Sequence, residues 1–461
     1  MIELSRVLVR QFRAVVRKSV LAASPRGPSP IVVCRAGRRG LTLSCRREEV
    51  GVRHHTPGSF PDANVAVPFA RLADLENAGE VIAIEQTAPS RGRASWQGGE
   101  GLRVLDFDTE DPSSSAPAPE PSRNGMRLEP GFLAVLDEAA RTASREAVRY
   151  ATNRILLRGR DGTVVATDGR QLLLQGGYRF PWEEEHYLPA LPVFGSRELP
   201  RDRPVALGLA KDRITLGVGP WLFDFAVESG VRFPDVDRVI PDARSASTRL
   251  RLDAADIEEL VRGLPRLPDN DDPQSPVTLD LGNAVAVRSR PEDGTVSEVV
   301  LSRSRREGPA LRVAMDRRYL LRALTLGFTE VLIADANQPL VCRDAGRTYL
   351  WMPLSDADAV PPAPDSPAGP AVAKGRAAAP HPETPRRTTT MPANEPRDEG
   401  GRRDGADRGE PPDPIGEAEE LRAHLQAALA RTARLIAALK QQRRQSRVVE
   451  SALESLRRLQ H

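Results

Sequence analysis

Few residues in this chain are spaced to do covalent chemistry. The stretch Trp182–His186, WEEEH, carries three carboxylates and an imidazole. Its Glu and His lack the helical HExxH spacing that holds zinc with a general base beside it, so it reads as a solvated loop. His54 and His55 form the only histidine pair, without cysteine or acidic partners at metal-ligand spacing. The glycines of GEGLRV and similar groups are too sparse to cradle a nucleotide, and Ser59, Ser95 and Ser196 lack a G-x-S-x-G context. Cys34, Cys45 and Cys342 are an odd number without metal spacing and read as reduced, mostly buried thiols. No catalytic residue, metal or cofactor is expected. What the chain does offer is arginine at helical spacing. Arg10, Arg13 and Arg17 fall at i, i+3 and i+7, with Leu8, Phe12, Val15 and Ser19 on the opposite side. Such a cationic stripe suits a phosphate backbone through contacts that ignore base identity and weaken with salt; it equally suits plain solvation of an exposed face. Arg145, Arg149 and Tyr150 repeat the theme, as do Arg317, Arg318 and Arg322. No recognition helix, zinc finger or stacking motif that reads bases is present.

The elements that must position these residues follow one plan three times: a helix, a set of strands, a second helix and more strands. In the first segment the periodicity predicts a helix over Leu8–Leu21, strands near Ile31–Arg35, Leu41–Arg46, Glu49–His54 and Asn64–Val67, a short helix at Phe69–Asn77, and strands near Val81–Gln86 and Arg91–Trp96. The second opens with a helix over Phe132–Ala143 and the third with one over Ala254–Gly263; a further helix is expected at Asp316–Leu326. Strands alternate apolar and polar residues, as half-buried antiparallel sheets do. The Ser- and Pro-rich run Asp111–Asn124 fits an interdomain linker.

A chain of 461 residues exceeds one core. Hydrophobic residues make up 40% and aromatics only 4%, so cores must be built from Leu, Val, Ala and Ile. The net charge of +3 decides nothing about nucleic acid; only the distribution of charge does. No stretch is apolar for long enough to cross a bilayer, and the basic N-terminus lacks the apolar region of a signal peptide, so it is expected to stay in the fold. From Ser355 to about Pro412 the chain is Pro, Ala, Gly and charge, too poor in apolar groups to offset chain entropy, and disorder is expected. Asp413-Pro414 then signals a helix start, and Leu421, Leu425, Ala428, Thr432, Leu435 and Leu439 alternate four and three residues apart. That seam fits a coiled coil or a lone amphipathic helix.

Four motifs in order carry a family resemblance: ATDGRQLLL (Ala166–Leu174), FPDVDRVIP (Phe233–Pro241), RRYLLRALTLG (Arg317–Gly327), and a closing run over Ala334–Leu354 that ends YLWMPL. Together they resemble the bacterial DNA polymerase III beta sliding clamp over roughly the first 354 residues. The resemblance implies an α+β fold of three clamp-type domains, helices on the inner face and antiparallel sheets outside, at 1–115, 125–243 and 244–354. A Pro-rich linker at 355–412 and a terminal helix at 413–461 would follow. It implies a cytoplasmic, nucleoid-associated homodimer ring that encircles double-stranded DNA and tethers DNA polymerase, clamp loader and repair proteins, with no membrane partner and no catalysis. The alternatives are a non-replicative paralogue acting through its C-terminal tail, and a scaffold whose basic surfaces bind acidic protein.

The resemblance also implies a groove for short peptides between the second and third domains. The matching positions are Thr152, Thr167, Gly169, Gln171 and Leu172, then Pro234, Arg238 and Val239, then Pro339, Leu350, Met352 and Pro353. Leu172, Val239, Leu350 and Met352 would form apolar walls, with Thr167, Gln171 and Arg238 as polar anchors. Thr152 stands where the family favours a larger apolar residue, and Gln171 where Arg is common. Tyr187–Pro200 is too short and proline-rich for the second inner helix that the plan requires.

Overall fold

The computed structural model describes residues 1–99, 101–146, 150–228, 230–268, 274–290, 296–355 and 358–361. Arg149, nearly all of the expected Pro-rich linker and the whole terminal helix lie outside them. In the first segment a short strand, β1 (Ile2–Ser5), leads into α1 (Arg6–Lys18) and α2 (Val20–Ala23). Four strands follow: β2 (Ile31–Gly37), β3 (Gly40–Arg46), β4 (Val50–Thr56) and β5 (Ala63–Pro68). Then come α3 (Leu72–Glu76), β6 (Val81–Ala88), β7 (Arg91–Gly98) and β8 (Gly101–Asp108). The second segment holds β9 (Met126–Leu128), α4 (Phe132–Thr142), β10 (Arg154–Arg158), β11 (Thr163–Thr167), β12 (Gln171–Gln175), β13 (Glu185–Pro189), a 3-10 turn at Pro192–Gly195, β14 (Val205–Ala210), β15 (Arg213–Val218) and β16 (Trp221–Ala226). The third holds β17 (Thr248–Arg251), α5 (Ala254–Gly263), β18 (Pro276–Leu281), β19 (Val285–Ser289), β20 (Ser297–Val300), β21 (Arg305–Glu307) and β22 (Leu311–Asp316), then α6 (Arg317–Thr325), β23 (Glu330–Ile333), β24 (Leu340–Arg343) and β25 (Arg347–Trp351).

Every strand pair is antiparallel, and the repeat is visible in how sheets are shared. One sheet runs β5-β2-β3-β4-β16-β15-β14-β9, so its two halves come from the first and second segments, joined where β4 pairs β16. The next runs β13-β10-β11-β12-β25-β24-β23-β17-β21, joined where β12 pairs β25. The remaining two are four-stranded: β1-β6-β7-β8 and β20-β19-β18-β22. In repeat terms β8 stands where β16 and β25 stand, and β20 where β4 and β12 stand. Each four-stranded sheet is therefore equivalent to one half of a shared sheet.

The joins are reinforced off the backbone. Asp224 on β16 is 3% exposed and sits between Arg46 of β3 and Arg213 of β15, with Arg213 Nε donating at 2.9 Å. Its cross-strand neighbour is Gly51, where a Cβ would collide with the Asp224 carboxylate and come within 3.1 Å of Pro119. A side chain there would expel the carboxylate and leave two arginines unpaired in a buried site. The cores use the expected aliphatics, and Phe12 of α1 stacks at 6.0 Å on Trp221 of β16.

The structure corrects several sequence-based expectations. Strands β1, β8, β9, β13, β17, β21 and β22 were not anticipated. WEEEH is no solvated loop: Trp182 and His186 are buried edge to face at 4.9 Å, and Glu185–Pro189 is an edge strand. Asp111–Asn124 does link the first two segments but is held against the sheet along its way, since Pro119 is buried and Ser122 Oγ donates to the Leu209 carbonyl at 3.0 Å. In agreement with the sequence, the second segment has a 3-10 turn where the other two place a second helix, as its prolines require. Among the described residues no helix is long and apolar enough to cross a membrane, and no group of His, Cys, Asp and Glu could hold a metal.

His54 lies at the β4–β16 join, edge-on to Trp221 at 4.6 Å, with Nδ1 unpartnered. Burial, and secondarily the neighbouring His55, push its imidazole down to about 4. The unfolded chain takes up this proton below about 6.5. Stability from this group is therefore complete above that pH, declines as pH falls towards 4 and is lost below it. In urea melts, His54→Gln is expected to flatten the slope of stability against pH across that window; an unchanged slope would mean the imidazole titrates normally in the fold.

Candidate functional site

The cationic helices are built locally. Ser5 caps α1 by accepting the Leu8 N–H at 3.2 Å, and Asp316 caps α6 by accepting the Arg318 N–H at 2.9 Å. On α1, Val9, Phe12, Val15 and Val16 are buried while Arg6, Arg10 and Arg17 face solvent. Arg13 is half-buried and ion-paired with Glu76 of α3, a partner that also draws Arg10 Nε to 3.8 Å. Arg145 is exposed beyond α4, and the Tyr150 ring lies 5.2 Å beneath the Arg232 guanidinium. Arg318 is exposed beside its cap partner Asp316. Arg317 is a correction: it is buried and donates to the carbonyls of Ser275, Leu267 and Pro268 at 3.1, 2.6 and 2.7 Å, so its charge is spent inside the third segment. Arg322 is likewise engaged, pairing with the Glu138 carboxylate and donating to the Glu138 carbonyl at 2.8 Å, which ties α6 to α4.

The sequence pointed to Arg145 but not to the group it joins, which is drawn from both the first and the second segment. Lys18, Arg141, Arg145 and Arg154 surround a hollow of about 760 Å³ floored by Pro189–Pro192 and the small residues Ala22, Ala23, Ala140 and Ala143. The hollow sits beside the 3-10 turn, where no helix fills the space. Lys18 Nζ donates to the buried Ser196 Oγ at 2.9 Å and pairs with Glu198, a contact between residues 180 apart that no local pattern signals.

The groove residues divide into floor, rim and junction. Leu172 and Leu350 face each other across β12 and β25 at 2% and 3% exposure, under Val236 from the FPDV stretch. Val239 and Met352 remain exposed beside them at 50% and 41%. Pro234, Pro353 and Thr152 are half-buried, Gly169 is exposed in its turn at φ +90°, and Arg238 projects into solvent, held by Asp235 at 2.7 Å. Pro339 is buried and lines a small crevice with Pro241, Ala246 and Val341. Two expected anchors are corrected. Thr167 is buried and donates to the Gln171 carbonyl at 2.6 Å. The Gln171 amide is buried too: it donates to the Thr142 carbonyl at 3.2 Å and to Asp168 at 2.9 Å, and accepts the Tyr349 hydroxyl at 2.7 Å. These groups hold the second and third segments together and are not free for a ligand. Tyr319 adds a hydroxyl bond to Asp168 at 3.3 Å, and burial first of all raises its phenol, with that carboxylate adding to the rise.

No family model matches the sequence, and no curated protein matches it. Solved structures do. The DNA polymerase III subunit beta of Pseudomonas aeruginosa superposes with a TM-score of 0.63 at 18% identity, covering 77% of this chain and 99% of its own. The polymerase sliding clamp of Bacillus subtilis gives 0.64 at 14%, over 77% and 98%, and the polymerase beta subunit of Streptococcus pyogenes 0.63 at 15%, over 76% and 99%. The chain has the sliding-clamp fold. Within that fold, Gln171 and Tyr349 form a buried polar bridge at the second junction. Gln171→Ala is expected to lower unfolding free energy by about 2 kcal/mol, because it leaves a buried hydroxyl without its acceptor, and Tyr349→Phe by about 1 kcal/mol. Equilibrium denaturation of both variants measures this; loss from neither would mean the bridge is wet.

Proposed function

We propose that this chain is a divergent DNA sliding clamp that pairs head to tail with a second copy, closes a ring around duplex DNA and tethers a polymerase and other partners. The observation that carries the reading is the incomplete third junction. β4–β16 and β12–β25 are closed within the chain, whereas β8 and β20 pair with no further strand among the described residues at the equivalent positions. Pairing β8 with β20 of a second copy would satisfy both edges and make a continuous circle of shared sheets. The supporting chemistry is cationic and non-specific: Arg6, Arg10 and Arg17 of α1, Arg141 in the last turn of α4, Arg145 beyond it, and Arg318 of α6 are exposed, and each suits a phosphate rather than a base. The exposed Val239 and Met352 beside the covered Leu172–Leu350 floor suit a short apolar peptide, with Arg238 at the rim and Met352 able to adapt its shape. The chain continues for a hundred residues past Pro361, and the solved clamps cover only 76–77% of it, which favours a second reading: a clamp-fold paralogue assigned to repair or scaffolding rather than replication.

The protein is expected to sediment with twice the mass of one chain and, once loaded by a clamp loader, to stay on closed circular DNA through gel filtration and to leave when that DNA is linearised. Equal retention on both forms would rule out encirclement. Arg10→Glu with Arg17→Glu is expected to weaken DNA retention about tenfold at low salt without altering the dimer mass, an effect that shrinks as salt rises.

A further inference from the structure

Each closed junction is crossed, on the face away from the helices, by the chain that links its two segments. The first crossing begins where Thr109 Oγ1 donates to the Ala66 carbonyl of β5, passes Pro119 against Gly51 of β4, and reaches β14 at Ser122. The second brings Phe233 against Tyr187 of β13, buries Val236 over Leu172 and Leu350, and reaches β24 where Arg343 donates to the Pro241 carbonyl at 2.6 Å. A third crossing starts in the same way on the open half-sheet. The Leu354 N–H donates to the Ala314 carbonyl of β22 at 2.7 Å, and the buried Val360 donates its N–H to Thr278 Oγ1 of β18 at 2.7 Å. Its direction is from β22 through β18 towards the free edge at β20.

The half-sheet at the other end of the chain has no such cover among the described residues. On the bare face, Val81, Gln97 and Leu102 lie in one row across β6, β7 and β8, and Ala83, Ser95 and Val104 in the next. Val81 is 55%, Leu102 68% and Val104 52% exposed, three of the few large apolar side chains left in solvent. The equivalent face of β15 and β16 is buried, with Thr215 at 4% and Asp224 at 3%.

We infer that the chain just past Pro361 of one copy is the strap over this face of the next: residues 362–374, PAPDSPAGPAVAK, run across Val81, Leu102 and Val104 of a second copy. The inference rests on the head-to-tail pairing proposed above. The composition matches the first strap, whose SSSAPAPEPS is likewise Ser, Pro and Ala. The length also fits. From β18 to the partner's β1 is six strand spacings, about 29 Å at about 4.8 Å each. Thirteen proline-rich residues extend to about 40 Å at about 3.1 Å each. The first strap crosses the same six spacings, β5 to β14, between Thr109 and Ser122. Extended Pro–Ala chain cannot form a core of its own, but it loses little entropy on docking and would cover the valines and leucine with its rings and methyls.

Two single-cysteine variants of the full chain, Val104→Cys and Ser366→Cys, test this, because the native Cys34, Cys45 and Cys342 are buried. Mixed and mildly oxidised, they are expected to give a disulfide-linked pair containing one of each, at least about tenfold above the yield of Ser366→Cys with Arg238→Cys, a solvent-exposed position on another sheet. Val81→Cys serves as a second probe of the same face. A dimeric protein whose cross-linking at both probes stays at the control level overturns the strap and leaves the pairing intact. A protein that is monomeric at every concentration overturns both.

Discussion

A strand at the edge of a sheet carries unpaired N–H and C=O groups that must find water, a cover or another strand. In this protein that constraint organises everything else. Each segment supplies two half-sheets, and a half-sheet is stable against the next only when their edge strands pair. Within the chain two such joins are made, and the polar groups buried there, Asp224 between two arginines and Gln171 beneath Tyr349, are the ones with the most to lose if the segments part. The two half-sheets left over are complementary in kind, so topology supports the closed assembly that the family resemblance implies.

The same constraint explains where charge ends up. Helices pack their apolar faces against the sheets, so their free faces point away from them, and arginine accumulates there. Yet proximity to a junction diverts some of these arginines. Arg317 and Arg322 belong to the same helix as Arg318, but they are drawn to backbone carbonyls and to Glu138, leaving Arg318 as the exposed one. On α1 the stripe survives because only Glu76 competes for it. An exposed cationic face is thus what remains after the fold has taken the cations it needs.

The connecting segments are structural. They lie over the joins and bring in residues such as Pro119, Val236 and Val360 that are buried only because a sheet lies beneath them. Val236 covers the floor of the candidate peptide groove, so access to Leu172 and Leu350 depends on how firmly this strap is held. Arg158, paired with Asp237, and Arg343, bonded to the Pro241 carbonyl, are the groups that hold it.

Much of this was legible in the residues themselves. Helical spacing placed α4, α5 and α6 within a residue and α1 within three, because apolar side chains at i, i+3 and i+4 must share a buried face. Proline in Tyr187–Pro200 excluded a second helix there, because it cannot supply the backbone donor. Four ordered motifs pointed to the clamp fold that superposition shows. Tertiary structure decided the rest. β13 and the burial of Trp182 and His186 were hidden, since a strand that follows two glutamates and opens on a third looks like loop until a neighbour pairs with it. The fate of Thr167, Gln171 and Arg317 was hidden for a related reason: a polar side chain carries no mark of whether its partner is a ligand or a residue 178 positions away, as Tyr349 is from Gln171. Local spacing fixes which face of an element is apolar, and only long-range pairing fixes which polar groups are left over for function.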